Sequence, residues 1–383
     1  MSGDDDDAPR LEVLRRLGAT EDEAAELLAY DRPALARPAG ALSLPLADEP
    51  FVAAWAGYAA EARRRGAWAV LRDRLPQLRF PIAAGISVTT AYRAAVRRGE
   101  PPPDGPGLRL EAPETLRLFL HRTRAGRVPV IVAEQRADFE ALVRAIVARG
   151  EPSPVPQSQG AVIVGGYNNW DRVARLRTAF ERGEMEAGGA ATWTEAFAWV
   201  RERKELYQDC FILLSGGPYS GVPAAEMGMG EAEWRRVSLS IRLEHECAHY
   251  FTRRVLGAMR RSLHDELIAD YAGIAVAAGR FRADWFLRFL GLADGNYRCG
   301  GRLEIYREGL SDGAFAVLQT LVRHAAAVVE TVDARLPPAW RTSAGRARVM
   351  LALAATPVET LAAEDGAERL AVRLRSRSLA LTA

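Results

Sequence analysis

The stretch His245-Glu246-Cys247-Ala248-His249, followed by Glu266-Leu267-Ile268-Ala269-Asp270, decides how this chain is interpreted. It contains two of the five histidines in the sequence. Residues four apart lie on the same face of a helix, so both imidazoles can reach one ion. Glu246 projects about 100° further around the helix, where it can reach water on that ion. The pattern therefore predicts a zinc centre with Glu246 as general base.

A third ligand is expected from the second stretch, because a catalytic zinc takes three protein ligands and keeps one position open. Glu266 is the predicted ligand: a short reversal at 257–261 would let the two helices pack antiparallel. Asp270, one turn later, can accept a hydrogen bond from a ligand histidine and fix its tautomer. His264 and Asp265 are alternatives for the third position.

The two stretches are predicted to lie on separate helices. The first helix is expected over residues 231–256, with Gly257 as its C-terminal stop. The second is expected to begin after Ser262, whose hydroxyl can cap it, and to end near Gly279.

The whole chain is expected to have three parts. Residues 1–105 indicate a helical N-terminal accessory region, and a proline-rich run at 101–106 marks its end. Residues 106–230 alternate apolar runs with amphipathic helices, which indicates a small α/β layer. Residues 231–383 are predicted to be helical and to carry the metal site.

The fold class is therefore mixed α+β. The predicted strands are 128–132, 161–164 and 211–214.

Composition narrows the classes of function. The chain has 383 residues, of which 49% are hydrophobic, and a formal net charge of +2. This balance gives no overall attraction to nucleic acid or acidic lipid. The acidic start differs from a signal peptide, and no run of about 18 apolar residues is evident. We therefore expect a cytoplasmic protein with no nucleic-acid or membrane partner.

The two motifs together resemble the gluzincin group of zinc metallopeptidases, in which a glutamate on a following helix is the third ligand. The resemblance covers residues 245–270 only. It implies zinc at His245, His249 and Glu266, with Glu246 as base and Asp270 bonded to a ligand histidine. It also implies a zincin-like fold, with a small sheet and helices above a helical lower half. The expected substrate is a peptide.

Substrate-facing residues are less sharply defined by the sequence. The strand Cys210–Leu214 precedes the first motif and is a candidate sheet edge for binding a peptide. Stabilisers of the oxyanion are expected among the later residues. His324, within an apolar helix, is interpreted as a core histidine rather than a catalytic one. The remaining candidates are Tyr297, Arg298, Tyr306 and Arg307.

Two alternatives stay open at this stage. One is a zinc-dependent tailoring hydrolase that acts on a non-peptide small molecule. The other is a non-catalytic binding protein with a vestigial zinc site.

Overall fold

The structure, a computed structural model, describes residues 4–30, 42–257, 262–376 and 381–382. Its contacts group the chain into two compact units. Unit 1 comprises Met1–Leu46, Thr123–Ala125 and Pro218–Ala383, and unit 2 comprises Ala47–Arg122 and Gly126–Gly217. These limits differ from the expected divisions after residues 105 and 230, and the three-part division stays a prediction.

The described residues are mostly helical, and they include a small four-stranded sheet, which confirms a mixed fold class. The helices are α1 (Asp4–Arg16), α2 (Glu21–Tyr30), α3 (Phe51–Arg65), α4 (Ala67–Arg74), α5 (Thr90–Arg98), α6 (Arg136–Ile146), α7 (Trp170–Glu181), α8 (Trp193–Arg201), α9 (Glu231–Leu256), α10 (Leu263–Ala277), α11 (Ala283–Leu290), α12 (Asp312–Ala334), α13 (Ser343–Ala354), α14 (Val358–Leu361) and α15 (Gly366–Arg375). The strands are β1 (Leu42–Ser43), β2 (Arg117–Thr123), β3 (Gly126–Ala133), β4 (Ala161–Asn168), β5 (Gln208–Ser215) and β6 (Leu381–Thr382).

Unit 2 holds the four-stranded sheet, in the order β2-β3-β5-β4. Strand β5 is parallel to β3 and antiparallel to β4. The three apolar runs predicted as strands lie within β3, β4 and β5, whereas β2 was not predicted. The expectation that Cys210–Leu214 forms a sheet edge is wrong, because β5 has a hydrogen-bonded neighbour on both sides.

The rest of unit 2 is built around buried polar contacts as well as apolar packing. Helices α3 and α4 are separated by Gly66, whose φ of 83° lies in the left-handed region. On α3, the Trp55 indole donates to Asp209 at 2.7 Å. Arg172 on α7 donates to the same carboxylate at 2.6 Å. This buried carboxylate thereby ties two helices to the start of β5.

Unit 1 contains the two helices that carry the sequence motifs. Helix α9 ends at Gly257, which has a φ of 72°, and α10 begins after Ser262, whose hydroxyl accepts from the backbone of Asp265. Both boundaries confirm the sequence prediction; residues 258–261 of the predicted reversal lie outside the described residues. The two helices approach closely where Gly273 faces Ile241: a Cβ at Gly273 would lie 2.5 Å from the Ile241 carbonyl oxygen.

Helix α12 of unit 1 differs from the sequence expectation. By length and composition alone it is apolar enough to cross a membrane, whereas no such run was expected. The core helix of a soluble protein passes the same test, and half of the apolar window of α12 is buried in the structure. It packs against α2, α11, α14 and α15.

Candidate metal centre

Three side chains from α9 and α10 converge at one point in unit 1. The Nε2 atoms of His245 and His249 lie 3.1 Å apart. His245 Nε2 is 3.5 Å from Glu266 Oε2, and His249 Nε2 is 3.5 Å from Glu266 Oε1. The histidines are buried and Glu266 is partly exposed, so the group is close to solvent. These three residues could hold a metal ion.

Two more carboxylates lie behind the imidazoles and orient them. His245 Nδ1 is 2.9 Å from Asp270 Oδ1, and His249 Nδ1 is 3.0 Å from Asp265 Oδ2. When each Nδ1–H donates to its carboxylate, the lone pair of each Nε2 faces the other and Glu266. Three acceptors then point at one place, which is an arrangement that a cation stabilises.

The spacing of these atoms also fits a metal. Ligand bonds of about 2.0–2.1 Å in tetrahedral geometry place two ligand atoms about 3.3 Å apart. The observed separations, 3.1 Å between the two Nε2 atoms and 3.5 Å from each Nε2 to its nearer Glu266 oxygen, lie close to that value. Two nitrogens and one carboxylate are also a donor set that zinc accepts in catalytic sites.

The electrostatics of the site favour charged side chains despite burial. Burial would raise the pKa of Glu266, but His249, His245 and Arg302 outweigh it and hold that pKa well below its ordinary value. Burial would lower the pKa of His249, yet the carboxylates of Asp265 and Glu266 raise it well above its ordinary range. The carboxylates of Asp265 and Glu266 thus stabilise positive charge at this point, here on His249.

Glu246 lies beside the converging group without being part of it. Burial raises its pKa above the ordinary value, although the two imidazoles oppose this. Within the part of the chain that the structure describes, no side chain or backbone group forms a hydrogen bond with its carboxylate. The side chain is only partly buried, so the carboxylate is available to water.

The two alternatives for the third ligand have other partners. His264 Nε2 is 2.8 Å from the carbonyl oxygen of Leu353 and belongs to a different buried contact. Asp265 accepts from the far side of His249, as described above. Of the three neighbouring candidates on α10, Glu266 is the one that the structure brings to the two Nε2 atoms.

Sequence reasoning did not anticipate the roles of Tyr219 and Arg302. The Tyr219 hydroxyl donates to Asp270 Oδ1 at 2.6 Å and lies 2.9 Å from His245 Nδ1. Arg302 forms a close ion pair with the other Asp270 oxygen and donates to the Tyr219 hydroxyl at 3.0 Å. In the sequence, Tyr219 follows a glycine-rich turn after β5, and Arg302 lies between two tyrosine–arginine dipeptides. Neither local pattern indicates that Tyr219 and Arg302 contact Asp270.

The candidates for oxyanion stabilisation are separated by the structure. Tyr306 is buried, and burial together with the nearby negative charge of Glu266 raises its pKa well above the ordinary value. The Tyr297 hydroxyl instead donates to Glu304. His324 is exposed on α12, so its interpretation as a core histidine is wrong. The two arginine candidates pair with carboxylates elsewhere: Arg298 with Glu226 and Arg307 with Glu304.

The fold and the site together define a mostly helical α/β protein in which two buried histidines and one partly exposed glutamate could hold a metal. The chain belongs to the DUF7005 family, a family of unknown function, whose family model matches residues 12–365. Comparison with curated proteins and with solved structures found no match.

Proposed function

We propose that this protein is a zinc-dependent hydrolase of the gluzincin type that cleaves a peptide or amide bond. The convergence of the His245 and His249 Nε2 atoms on Glu266, with each Nδ1 backed by a carboxylate, carries this proposal. A surface helix with two incidental histidines would not need both imidazoles to be oriented from behind. A zincin-like fold forms part of the same proposal.

His245, His249 and Glu266 would hold the ion. Zinc at such a site supplies a Lewis acid that polarises a carbonyl and lowers the pKa of water to about 7. Asp270 and Asp265 fix the tautomers of the two histidines, so that both Nε2 lone pairs are presented together.

Glu246 is assigned as the general base. Its carboxylate has no hydrogen-bond donor among the described residues and is partly exposed, so it can accept a proton from the attacking water. The same carboxylate can then return the proton to the leaving nitrogen. Tyr306, which is close enough to Glu266 to feel its charge, is assigned as the donor of a hydrogen bond to the reacting carbonyl.

Elemental analysis of protein purified without chelator tests the metal, and a peptide-library cleavage assay tests the reaction. We expect about one zinc per chain, retained in Glu246→Gln and lost in Glu266→Ala. Glu246→Gln is expected to lower the cleavage rate by about 10²–10⁴-fold, as for loss of a general base.

Glu244→Gln, on the same helix two residues earlier, is the matched control and is expected to cleave at the wild-type rate. Absence of zinc from the wild-type protein would overturn the metal assignment. Cleavage by Glu246→Gln at the wild-type rate would overturn the role of Glu246. Zinc binding without cleavage of any peptide would exclude peptides as the substrate class.

A further inference from the structure

Two of the carboxylates near the metal centre are close neighbours on α10. Glu266 and Asp270 are four residues apart and therefore lie on the same face of the helix. Asp270 has a fully buried side chain, and that of Glu266 is 13% exposed. Two buried like charges on one face repel each other, and each loses its hydration. Something positive must hold this pair in place before any metal is bound.

Arg302 is placed to do so. One of its terminal nitrogens forms the close ion pair with Asp270 Oδ2 and lies 4.0 Å from Glu266 Oε2. The other terminal nitrogen donates to the Tyr219 hydroxyl at 3.0 Å and to Ser220 Oγ at 3.3 Å. Its side chain is only 10% exposed. A planar guanidinium with several donors can bridge these groups simultaneously.

The segments that meet at Arg302 come from distant parts of unit 1. Arg302 belongs to a 3₁₀ turn at Arg302–Tyr306, and Tyr219 belongs to the turn at Tyr219–Gly221 that precedes α9. Ser220 has a φ of 51°, a left-handed conformation that costs energy for a residue with a Cβ. The hydrogen bond from Arg302 offsets part of that cost, so one guanidinium fixes both the turn and the acidic face of α10.

We propose that Arg302 is a built-in counter-ion that holds Asp270 and Glu266 in their metal-binding arrangement when no metal is present. It is a positioning residue, because it acts through these carboxylates and through His245 behind Asp270. The inference uses the metal ligands of the proposed function but does not require that the protein hydrolyses anything. A bound cation would take over part of this role by neutralising Glu266 directly.

The test compares thermal unfolding of the full chain with and without zinc for Arg302→Gln, Arg302→Lys and Arg302→Met. Arg302→Gln is expected to lower the Tm of the zinc-free protein by about 5–10 °C, because it leaves a buried carboxylate without its partner. Zinc should restore at least half of the loss. Arg302→Lys, which keeps the charge, should lose less than Arg302→Met, which keeps only the apolar length.

Arg341→Gln is a matched control in the same unit. Arg341 donates to the buried Asp333 at 2.6 Å, and neither residue belongs to the metal group. Its loss should lower the Tm by the same amount with and without zinc. The proposal would be overturned if Arg302→Gln behaved like this control, or if lysine and methionine at position 302 were equivalent.

A double-mutant cycle with Asp270→Asn makes the result independent of the metal. In zinc-free protein, removing the Asp270 charge should abolish most of the Tm loss caused by Arg302→Gln. Additive losses would overturn the counter-ion role. If the wild-type protein binds no zinc, the proposed hydrolase falls, while this cycle still decides the role of Arg302.

Discussion

Replacement of Gly273 by alanine is predicted to weaken the contact on which the metal centre depends. The added Cβ would lie 2.5 Å from the Ile241 carbonyl oxygen and 3.0 Å from Ile241 Cγ2. Carbon and carbonyl oxygen ordinarily approach to about 3.3 Å, so α10 must move about 0.8 Å away from α9. A backbone oxygen cannot move aside by changing a rotamer, and the helices themselves must separate.

The magnitude follows from two opposing effects. Overpacking at such a site costs about 1–3 kcal/mol, with this backbone contact at the upper end. Alanine gains up to about 1 kcal/mol over glycine within a helix. We therefore expect the free energy of unfolding to fall by about 1–2 kcal/mol. Because ligand distances in a metal site tolerate about 0.2 Å, zinc affinity should also fall, by about tenfold or more.

Urea denaturation measures the first effect, and competition with a chelator for zinc measures the second. Gly57→Ala is the control: Gly57 is an exposed glycine inside α3, with nothing within 4 Å of an added Cβ. There alanine should stabilise by about 0.5–1 kcal/mol and leave zinc affinity unchanged. The reasoning is refuted if Gly273→Ala is as stable as the wild type and binds zinc equally well.

Two further predictions concern residues beside Glu266. Asp265→Asn should lower zinc affinity by about 10–100-fold, measured by chelator competition, because His249 loses the carboxylate that fixes its tautomer. An unchanged affinity would show that the 3.0 Å contact has no role in the site. His264→Gln should keep one zinc per chain by elemental analysis, since His264 bonds to the Leu353 carbonyl rather than to the metal group. Loss of zinc in this variant would reassign the third ligand.

The parts of the site that could be predicted are those set by local spacing. Histidines four residues apart, the glycine stop at Gly257 and the cap at Ser262 act within one or two helical turns, so the sequence specifies them directly. The pairing of the motif helices could also be expected, because few residues separate them.

The parts that could not be predicted depend on contacts between distant residues. Arg302 lies 83 positions after its partner Tyr219, and no local pattern distinguishes it from Arg298 or Arg307. The internal position of β5 likewise depends on which strands pair, and this is set by tertiary structure.

His324 is a different case, since the sequence held the information. The buried positions of α12 include Leu321, Val322, Ala325 and Ala326, and His324 lies on the other, exposed side. The phase of the helical repeat, rather than the average apolar character of the segment, predicts this exposed position.

The division of the chain into units has a consequence for the order in which the protein is made. Unit 1 joins N-terminal helices to C-terminal ones: Arg10 on α1 pairs with the buried Glu359 on α14 at 2.8 Å, and β1 pairs with β6. In the sequence, all of unit 2 lies between those segments. During synthesis, unit 2 can therefore fold before the last helices of unit 1 have left the ribosome. Helix α1 and strand β1 therefore cannot make these two contacts until α14 and β6 have been synthesised.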